Sequence, residues 1–330
     1  MKKIGMFLLS LIFVLTLSAC FDQDDSQSGD YHYQVTAGRA TITKYTGDES
    51  DITLPSQLNG VPVIKLGEDV FNGSESLESI TALNHALGKH SLANIDTLRE
   101  VHLSAEAMIE GTPLSGSNHI ETITIPGNYR LRDYYGSSIS DIPRSIQTII
   151  VADGTQSLTH YLFTGAVDLN KIELPSSLIT IRSNAFEDLE VHTISFADDL
   201  ALGTLESNAF VNIGYVNTVK FGENASFDTI KTGTFSDLNG LETVILPRSV
   251  THIQEGTFKN NQTLETLVLN HELGVVELAT FEHESDHPFY QASPSFSVYV
   301  PDHLLEDYQE NSAWLDVLAF DQIKPVSMLD

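Results

Sequence analysis

The chain has 330 residues, of which 45 are acidic and 17 are basic, and its formal net charge is −28 at pH 7. So large a negative charge makes nucleic acid and anionic membrane surfaces poor partners, because both would repel it. The chain contains one cysteine, which leaves nothing for an internal disulfide, so the fold must be held by a packed core.

The first twenty residues have the organisation of an export signal. Two lysines precede an apolar segment, Met6 to Leu17, that is too short for a permanent membrane span. The segment ends in Leu17-Ser-Ala-Cys20, which resembles a bacterial lipobox. The resemblance implies that residues 1–20 are a signal peptide and that Cys20 is lipidated and anchors the exported protein to a membrane of the cell envelope. The alternative is an ordinary secretory signal that is cleaved near a cysteine.

The next two segments differ in composition. Residues 21–30 are acidic, rich in serine and glutamine and without periodicity, which predicts a flexible tether. In residues 31–66, β-branched and aromatic residues alternate, as in Ala40-Thr-Ile-Thr-Lys-Tyr-Thr-Gly47, and are interrupted by Gly, Asn-Gly and Pro. This pattern predicts short strands and turns that form a β cap over the first repeat.

From residue 67 to residue 290 the chain repeats one structural unit. Phenylalanines recur every 23 to 25 residues, each with an aliphatic residue five positions earlier, at Phe163, Phe186, Phe210, Phe235, Phe258 and Phe281. Between them lies the motif L-x-x-φ-x-φ, as in Leu241-Glu-Thr-Val-Ile-Leu246. A fixed period of this length indicates a solenoid, and the alternation predicts a short strand in each turn. We therefore expect stacked parallel strands and an internal column of phenylalanine rings.

Several segments resemble the BspA-type leucine-rich repeat family. They include Ile52-Thr-Leu-Pro55, Ile181-Arg-Ser-Asn-Ala-Phe186 and Leu241-Glu-Thr-Val-Ile-Leu-Pro247, while Val298-Tyr-Val-Pro301 with Trp314 resembles the closing unit of that family. The resemblance implies a β-rich α/β leucine-rich-repeat solenoid, with a parallel sheet of short strands and with turns and short helices on the other face. It also implies a C-terminal cap, residues 291–330, and within it the apolar pattern of Leu304 to Phe320 predicts one short amphipathic helix anchored by Trp314.

Residues 105–161 depart from the repeat pattern. The Ala-Phe motif is missing there, and the spacing from Ile120 to Ile146 stretches to 26 residues. A binding insertion and a diverged repeat would produce the same pattern, so both interpretations stay open.

The family resemblance implies a surface binding protein with an extracellular protein or glycan partner, no active site and no cofactor. Strand alternation places threonines on the outward face of the sheet, and six of them share one position and should stack into a ladder. The predicted ligand-binding residues are Thr122, Thr148, Thr193, Thr218, Lys220, Thr243, Ile245 and Thr266. Strand propensity alone also explains threonine at such positions. The alternative function is that of a structural or polymer-binding envelope protein.

One segment matches a catalytic motif. His283-Glu-Ser-Asp-His287 reads H-E-x-x-H, which on a helix places two zinc ligands on one face and offers Glu284 as general base. Pro288 follows at once, and no long amphipathic pattern surrounds the segment. We therefore predict neither a metal site nor an enzyme, and a zinc hydrolase is the competing interpretation.

Overall fold

The computed structural model describes residues 25–129, 143, 145–164, 166, 169–197 and 199–329. Within these ranges the chain winds as a solenoid in which successive turns stack their strands in parallel. The predicted leucine-rich-repeat architecture is therefore confirmed. The signal segment 1–20, with Cys20, lies outside the described residues.

The N-terminal strands begin as an antiparallel meander and then join the solenoid. They are β1 (Ser26–Ser28), β2 (Tyr31–Thr36), β3 (Arg39–Tyr45), β4 (Asp51–Thr53), β5 (Gln57–Leu58) and β6 (Val61–Leu66). Strand β2 pairs antiparallel with β1 and β3, and β6 pairs parallel with β3. Strand β4 instead pairs parallel with Ser79–Ala82, the strand of the following repeat.

Two boundaries therefore differ from the sequence prediction. The fold already includes β1, which was assigned to the tether, because its three polar residues form an edge strand that needs no apolar pattern. The repeat sheet begins at β4, within the predicted cap, because Ile52 enters the core between two exposed neighbours.

The middle of the chain alternates longer strands with strands of two residues. They are β7 (Ser79–Ala82), β8 (Ala86–Leu87), β9 (Glu100–Leu103), β10 (Met108–Ile109), β11 (Thr122–Ile125), β12 (Thr148–Val151), β13 (Ser157–Leu158), β14 (Leu169–Leu174), β15 (Thr180–Ile181), β16 (Val191–Phe196) and β17 (Thr204–Leu205). The longer ones form a sheet in the order β16-β14-β12-β11-β9-β7-β4, here called the first half-sheet. The two-residue strands β13, β15 and β17 pair on a second side of the solenoid.

The last repeats form a separate sheet. The strands are β18 (Thr218–Lys220), β19 (Thr229–Ile230), β20 (Thr243–Leu246), β21 (His252–Ile253), β22 (Thr266–Leu269), β23 (Glu277–Leu278), β24 (Ser297–Val300) and β25 (Ile323–Pro325). The order β18-β20-β22-β24-β25 is here called the second half-sheet. Among the described residues β16 and β18 share no ladder, and an isolated bridge joins Glu190, just before β16, to Gly214, just before β18. A second bridge joins Gly214 to Asn239, just before β20.

The long spacing in residues 105–161 does not interrupt the first half-sheet. Strands β11 and β12 lie on either side of it and pair directly, with Thr122 opposite Thr148 and Ile123 opposite Ile149. The long spacing therefore leaves these two strands paired in register. Residues 130–142 and 144 lie outside the described ranges, so insertion and divergence remain alternatives.

Phenylalanine rings stack through the core, one from each turn. The centroid distances are 4.9 Å for Phe163 to Phe186, 4.8 Å for Phe186 to Phe210, and 5.4 Å for each of the next two pairs, Phe210 to Phe235 and Phe235 to Phe258. These spacings approach the distance between paired strands, since each ring belongs to one turn. The predicted aromatic column is present over these five residues.

The sixth ring of the column is Phe289 and not Phe281. Phe289 stacks on Phe258 at 5.8 Å and is buried, whereas Phe281 is partly exposed and contacts the ring of His287. The backbone explains the difference, because the N–H of Phe258 donates to the carbonyl of Pro288, the residue before Phe289. The repeat period of 23 to 25 residues selects the wrong phenylalanine here, because extra residues precede the last turn.

The C-terminal cap contains two short helices where the sequence predicted one. They are α1 (Leu305–Gln309) and α2 (Ser312–Leu315), accompanied by 3-10 turns at Glu284–Asp286, Asp302–Leu304, Phe320–Gln322 and Val326–Met328. Asn311 separates α1 from α2 because its extended backbone ends the first helix and its side chain accepts from the N–H groups of Ala313 and Trp314. Trp314 is fully buried, and its Nε1 donates to the carbonyl of Val276 at 2.8 Å, as expected for an anchor.

Candidate binding surface

The outward face of the main sheet carries two columns of side chains, set by strand register. In the first column Thr122 and Thr148 are neighbours, followed by Lys171 and Thr193. In the second half-sheet the same column is continuous through Thr218, Thr243, Thr266 and Ser297. The predicted threonine ladder is thus two shorter ladders, interrupted by Lys171 and by the missing pairing between β16 and β18.

The second column changes character along the sheet. Lys220 is exposed at the end of β18, and Ile245 and Val268 follow it in register. Val268, which alternation placed outward, is only 3% exposed, because Ile245 and Tyr299 flank it in the column. Tyr299 itself was missed by the sequence analysis, although the alternation in Val298-Tyr-Val300 could have indicated it. The Nζ of Lys324 lies 5.8 Å from the centre of the Tyr299 ring.

Charged side chains on the first half-sheet are compensated locally. Lys171 Nζ lies 2.7 Å from Glu173 Oε1, and His102 Nε2 lies 3.1 Å from Glu100 Oε2. The first column of the second half-sheet carries hydroxyl groups and no charge, and Lys220 forms no ion pair with any described residue. The two halves therefore present different chemistry to a partner.

Acidic residues line the start of the strands in the second half-sheet. The backbone N–H of Glu242 donates to the backbone carbonyl of Asn217 at 2.8 Å, and the backbone N–H of Glu265 donates to the backbone carbonyl of Glu242 at 3.0 Å. These residues therefore lie in line on adjacent turns. Both glutamates are exposed. Strands lie about 4.8 Å apart, so the two carboxylates form a compact negative edge beside the threonine column.

The H-E-x-x-H segment does not have the geometry of a zinc helix. Glu284–Asp286 is a single 3-10 turn, and His283 and His287 at its ends have extended backbone. His287 Nδ1 accepts the N–H of Phe289 at 2.9 Å, and burial lowers the pKa of this histidine. Among the described residues no group of three or more His, Cys, Asp or Glu is placed to hold a metal ion. The segment instead shapes the turn that brings Phe289 into the core.

The part of the chain that the structure describes contains no helix with the length and hydropathy needed to cross a bilayer. The candidate lipidation residue, Cys20, precedes that part. Its role therefore stays a prediction from the sequence.

Comparison with known proteins identifies the repeat. The profile of the BspA type Leucine rich repeat region matches in six copies, over residues 49–143 and 142–265. No curated protein shows a significant similarity to the chain.

The solved structures to which this chain is similar include three bacterial proteins. A leucine rich cell surface protein from Faecalibacterium prausnitzii is 18% identical, with 74% of this chain and 88% of that chain covered and a TM-score of 0.29. The pneumococcal vaccine antigen PcpA is 14% identical, with 86% and 95% covered and a TM-score of 0.30. A leucine-rich repeat protein from Bacteroides ovatus is 14% identical, with 82% and 70% covered and a TM-score of 0.31.

Proposed function

This chain belongs to the BspA-type leucine-rich repeat family, and we propose that it is an exported binding protein of the bacterial surface that engages an extracellular protein or glycan. The lipobox-like sequence ending in Cys20 supports a lipid anchor at the amino terminus. A leucine-rich-repeat solenoid is typically a binding scaffold that offers one extended surface and no catalytic cleft.

The outward face of the second half-sheet carries the proposal. Thr218, Thr243 and Thr266 stand in register on three adjacent strands, with Ile245 beside them. Hydroxyl and methyl groups can make hydrogen bonds and apolar contacts at a low cost of desolvation, whereas a buried charge needs a partner. This column therefore offers a surface that a macromolecule can cover.

The test is a double substitution on that column. Thr218→Arg/Thr243→Arg places two bulky charges on neighbouring strands, and binding is measured with the full-length protein in detergent micelles against extracellular matrix proteins and a glycan array. The matched control is Thr180→Arg/Thr204→Arg, because these threonines are also in register on adjacent strands but lie on the second side of the solenoid. Circular dichroism melting checks that both variants are folded.

We expect saturable binding by the native protein that only the first variant loses. Equal binding by native protein and both variants would place the site away from the second half-sheet and contradict the proposal. A native protein that binds none of the probes would favour the structural envelope protein instead.

The anchor has its own test. In bacteria grown with a labelled fatty acid, the native chain should carry the label and fractionate with membranes, and Cys20→Ser should do neither. A Cys20→Ser chain that still fractionates with membranes would show that another feature retains the protein.

A further inference from the structure

A stacked aromatic pair lies where the main sheet is interrupted. The rings of His192 and Tyr215 are 5.2 Å apart with an interplanar angle of 7°. Both residues are exposed, and Tyr215 exposes 61% of its surface. The backbone of Tyr215 is left-handed, with a φ of 70°, which is an outlier for a bulky aromatic residue.

Core packing does not explain the left-handed backbone of Tyr215. A left-handed conformation is unfavourable for a side chain with a Cβ, and a residue that remains this exposed recovers little by burial. Strained residues of this kind cluster at ligand-binding positions, where the surrounding structure fixes the side chain. Tyrosine held in one orientation is also a frequent anchor of protein interfaces, since little entropy is lost when it is covered.

One face of the Tyr215 ring is left open. His192 covers the other face from the preceding turn. In the following turn the residue beside Tyr215 is Gly240. The preceding residues, Gly214 and Asn239, form a parallel bridge, and a Cβ built on Gly240 would lie 3.9 Å from the Cα of Tyr215. Gly240 has no side chain to place against the ring, and its φ of 118° favours glycine.

The turns on either side of Tyr215 each carry a glutamate. The Cγ of Glu190 lies 3.8 Å from the position of a Cβ on Gly214, the residue before Tyr215, and Glu242 follows Gly240 by two residues. Both glutamates are exposed, and neither forms an ion pair within the described residues. Lys220 lies at the far end of β18, away from this edge.

We propose that the open face of Tyr215 anchors a lysine or arginine side chain of a basic protein partner. This inference rests on the proposed function and names the partner class and the anchor. The face of an aromatic ring attracts cations, and Glu242, on the turn beside the open face, supplies a carboxylate to the same side chain, while Glu190, on the turn of His192, adds negative charge nearby. The net charge of −28 steers a basic partner towards the surface. A neutral sugar could stack on the ring and donate hydrogen bonds to these carboxylates, but it would gain no attraction between opposite charges.

The probe is a short fluorescent peptide of alternating arginine and glycine, and its dissociation constant is measured by anisotropy with the full-length protein in detergent micelles. Tyr215→Asn should weaken binding about fivefold, and Tyr215→Phe should leave it within about twofold, because only the first removes the ring. Asparagine is chosen because it tolerates the left-handed backbone. Glu242→Gln should also bind the peptide more weakly than the native protein does. The native protein should bind more weakly at about 300 mM salt than at about 50 mM salt.

The matched control is Tyr161→Asn, since Tyr161 is the other left-handed tyrosine among the described residues and lies in a different part of the solenoid. It should bind the peptide as the native protein does, and Lys220→Gln should not weaken binding. Equal affinity in the native protein and Tyr215→Asn would refute the anchor. A neutral oligosaccharide whose binding depends on Tyr215, with no binding of the peptide, would overturn the basic partner in favour of a glycan.

The two proposals can fail separately. If Thr218→Arg/Thr243→Arg abolishes capture of a macromolecule that Tyr215→Asn still binds at native strength, the inference fails and the proposed function stands. If Tyr215 governs binding of the peptide but no extracellular macromolecule binds, the anchor stands and the proposed function fails.

Discussion

Phe281 and Phe289 give the sharpest test of the fold, because the repeat period selects one and the structure selects the other for the aromatic column. We predict that Phe289→Ala destabilises the C-terminal end of the solenoid and that Phe281→Ala has little effect. The two substitutions remove the same group from the same loop, so each serves as the control for the other.

The expected magnitudes follow from the contacts. Phe289 is 3% exposed, and its ring lies 5.0 Å from Phe296, 5.8 Å from Phe258 and 5.9 Å from Trp314. Truncating so buried a ring costs about 3 to 5 kcal/mol of unfolding free energy. Phe281 is partly exposed and has one described ring neighbour, His287, at 5.8 Å. Its truncation should cost roughly 1 kcal/mol, about half of the transfer free energy of about 1.5 to 3 kcal/mol for burying such a side chain, because truncation at a partly exposed site leaves no closed cavity.

The assay is urea unfolding followed by fluorescence, since Trp314 is the single tryptophan and lies against Phe289. Linear extrapolation gives the unfolding free energy of the reporter region. Equal losses in the two variants, or a larger loss in Phe281→Ala, would refute the assignment of Phe289 to the column. Phe289→Leu should recover most of the loss, because it restores most of the buried volume.

Acid should weaken the C-terminal cap, because His271 lies against it, with its Nε2 2.8 Å from the hydroxyl of Tyr308 in α1, and burial lowers the pKa of His271 below its ordinary 6.5. The unfolded chain then binds more protons, so this contribution to stability is complete above about pH 6.5 and falls by at most about 1.4 kcal/mol per pH unit towards the folded-state pKa; His271→Gln should flatten that slope in urea titrations at several pH values. Trp314→Ala should cost about 3 to 5 kcal/mol and speed amide exchange in β23 and β24, while Trp314→Phe should cost less; unchanged exchange would contradict the cap. Protein equilibrated with zinc and then dialysed should hold less than one zinc per chain by elemental analysis, with the same content in Glu284→Ala, and stoichiometric zinc in the native chain would support the hydrolase interpretation.

The repeated part of the fold could be predicted because the buried positions are set locally. Each L-x-x-φ-x-φ motif places its two φ residues in the core, as with Val244 and Leu246. Parallel stacking then aligns equivalent positions in adjacent turns. The pairing of Thr218, Thr243 and Thr266 follows from that alignment alone. Their role in binding stays a prediction, since register says nothing of a partner.

The departures could not be predicted because they depend on contacts between turns. Val216-Asn-Thr-Val219 keeps the repeat motif, so the sequence gives no sign that the ladder is interrupted just before it. The left-handed backbone of Tyr215 could not be predicted either, because a tyrosine has no local preference for that conformation. The edge strand β1 was not predicted because its polar residues form a strand without an alternating apolar pattern.

In a solenoid the burial of an aromatic ring depends on which side chain the next turn packs against it. Phe289 meets Trp314 and Phe296, so its ring is buried and contributes to stability. Tyr215 meets Gly240, so its ring keeps one open face. Adding a side chain at Gly240 tests this argument: Gly240→Asn places an amide beside the ring, at a backbone cost of about 1 to 3 kcal/mol because a φ of 118° is suited to glycine. It should lower the urea midpoint and, in protein that circular dichroism shows to be folded, weaken binding of the arginine peptide as Tyr215→Asn does; native-strength binding would show that the open face of the ring is not the anchor.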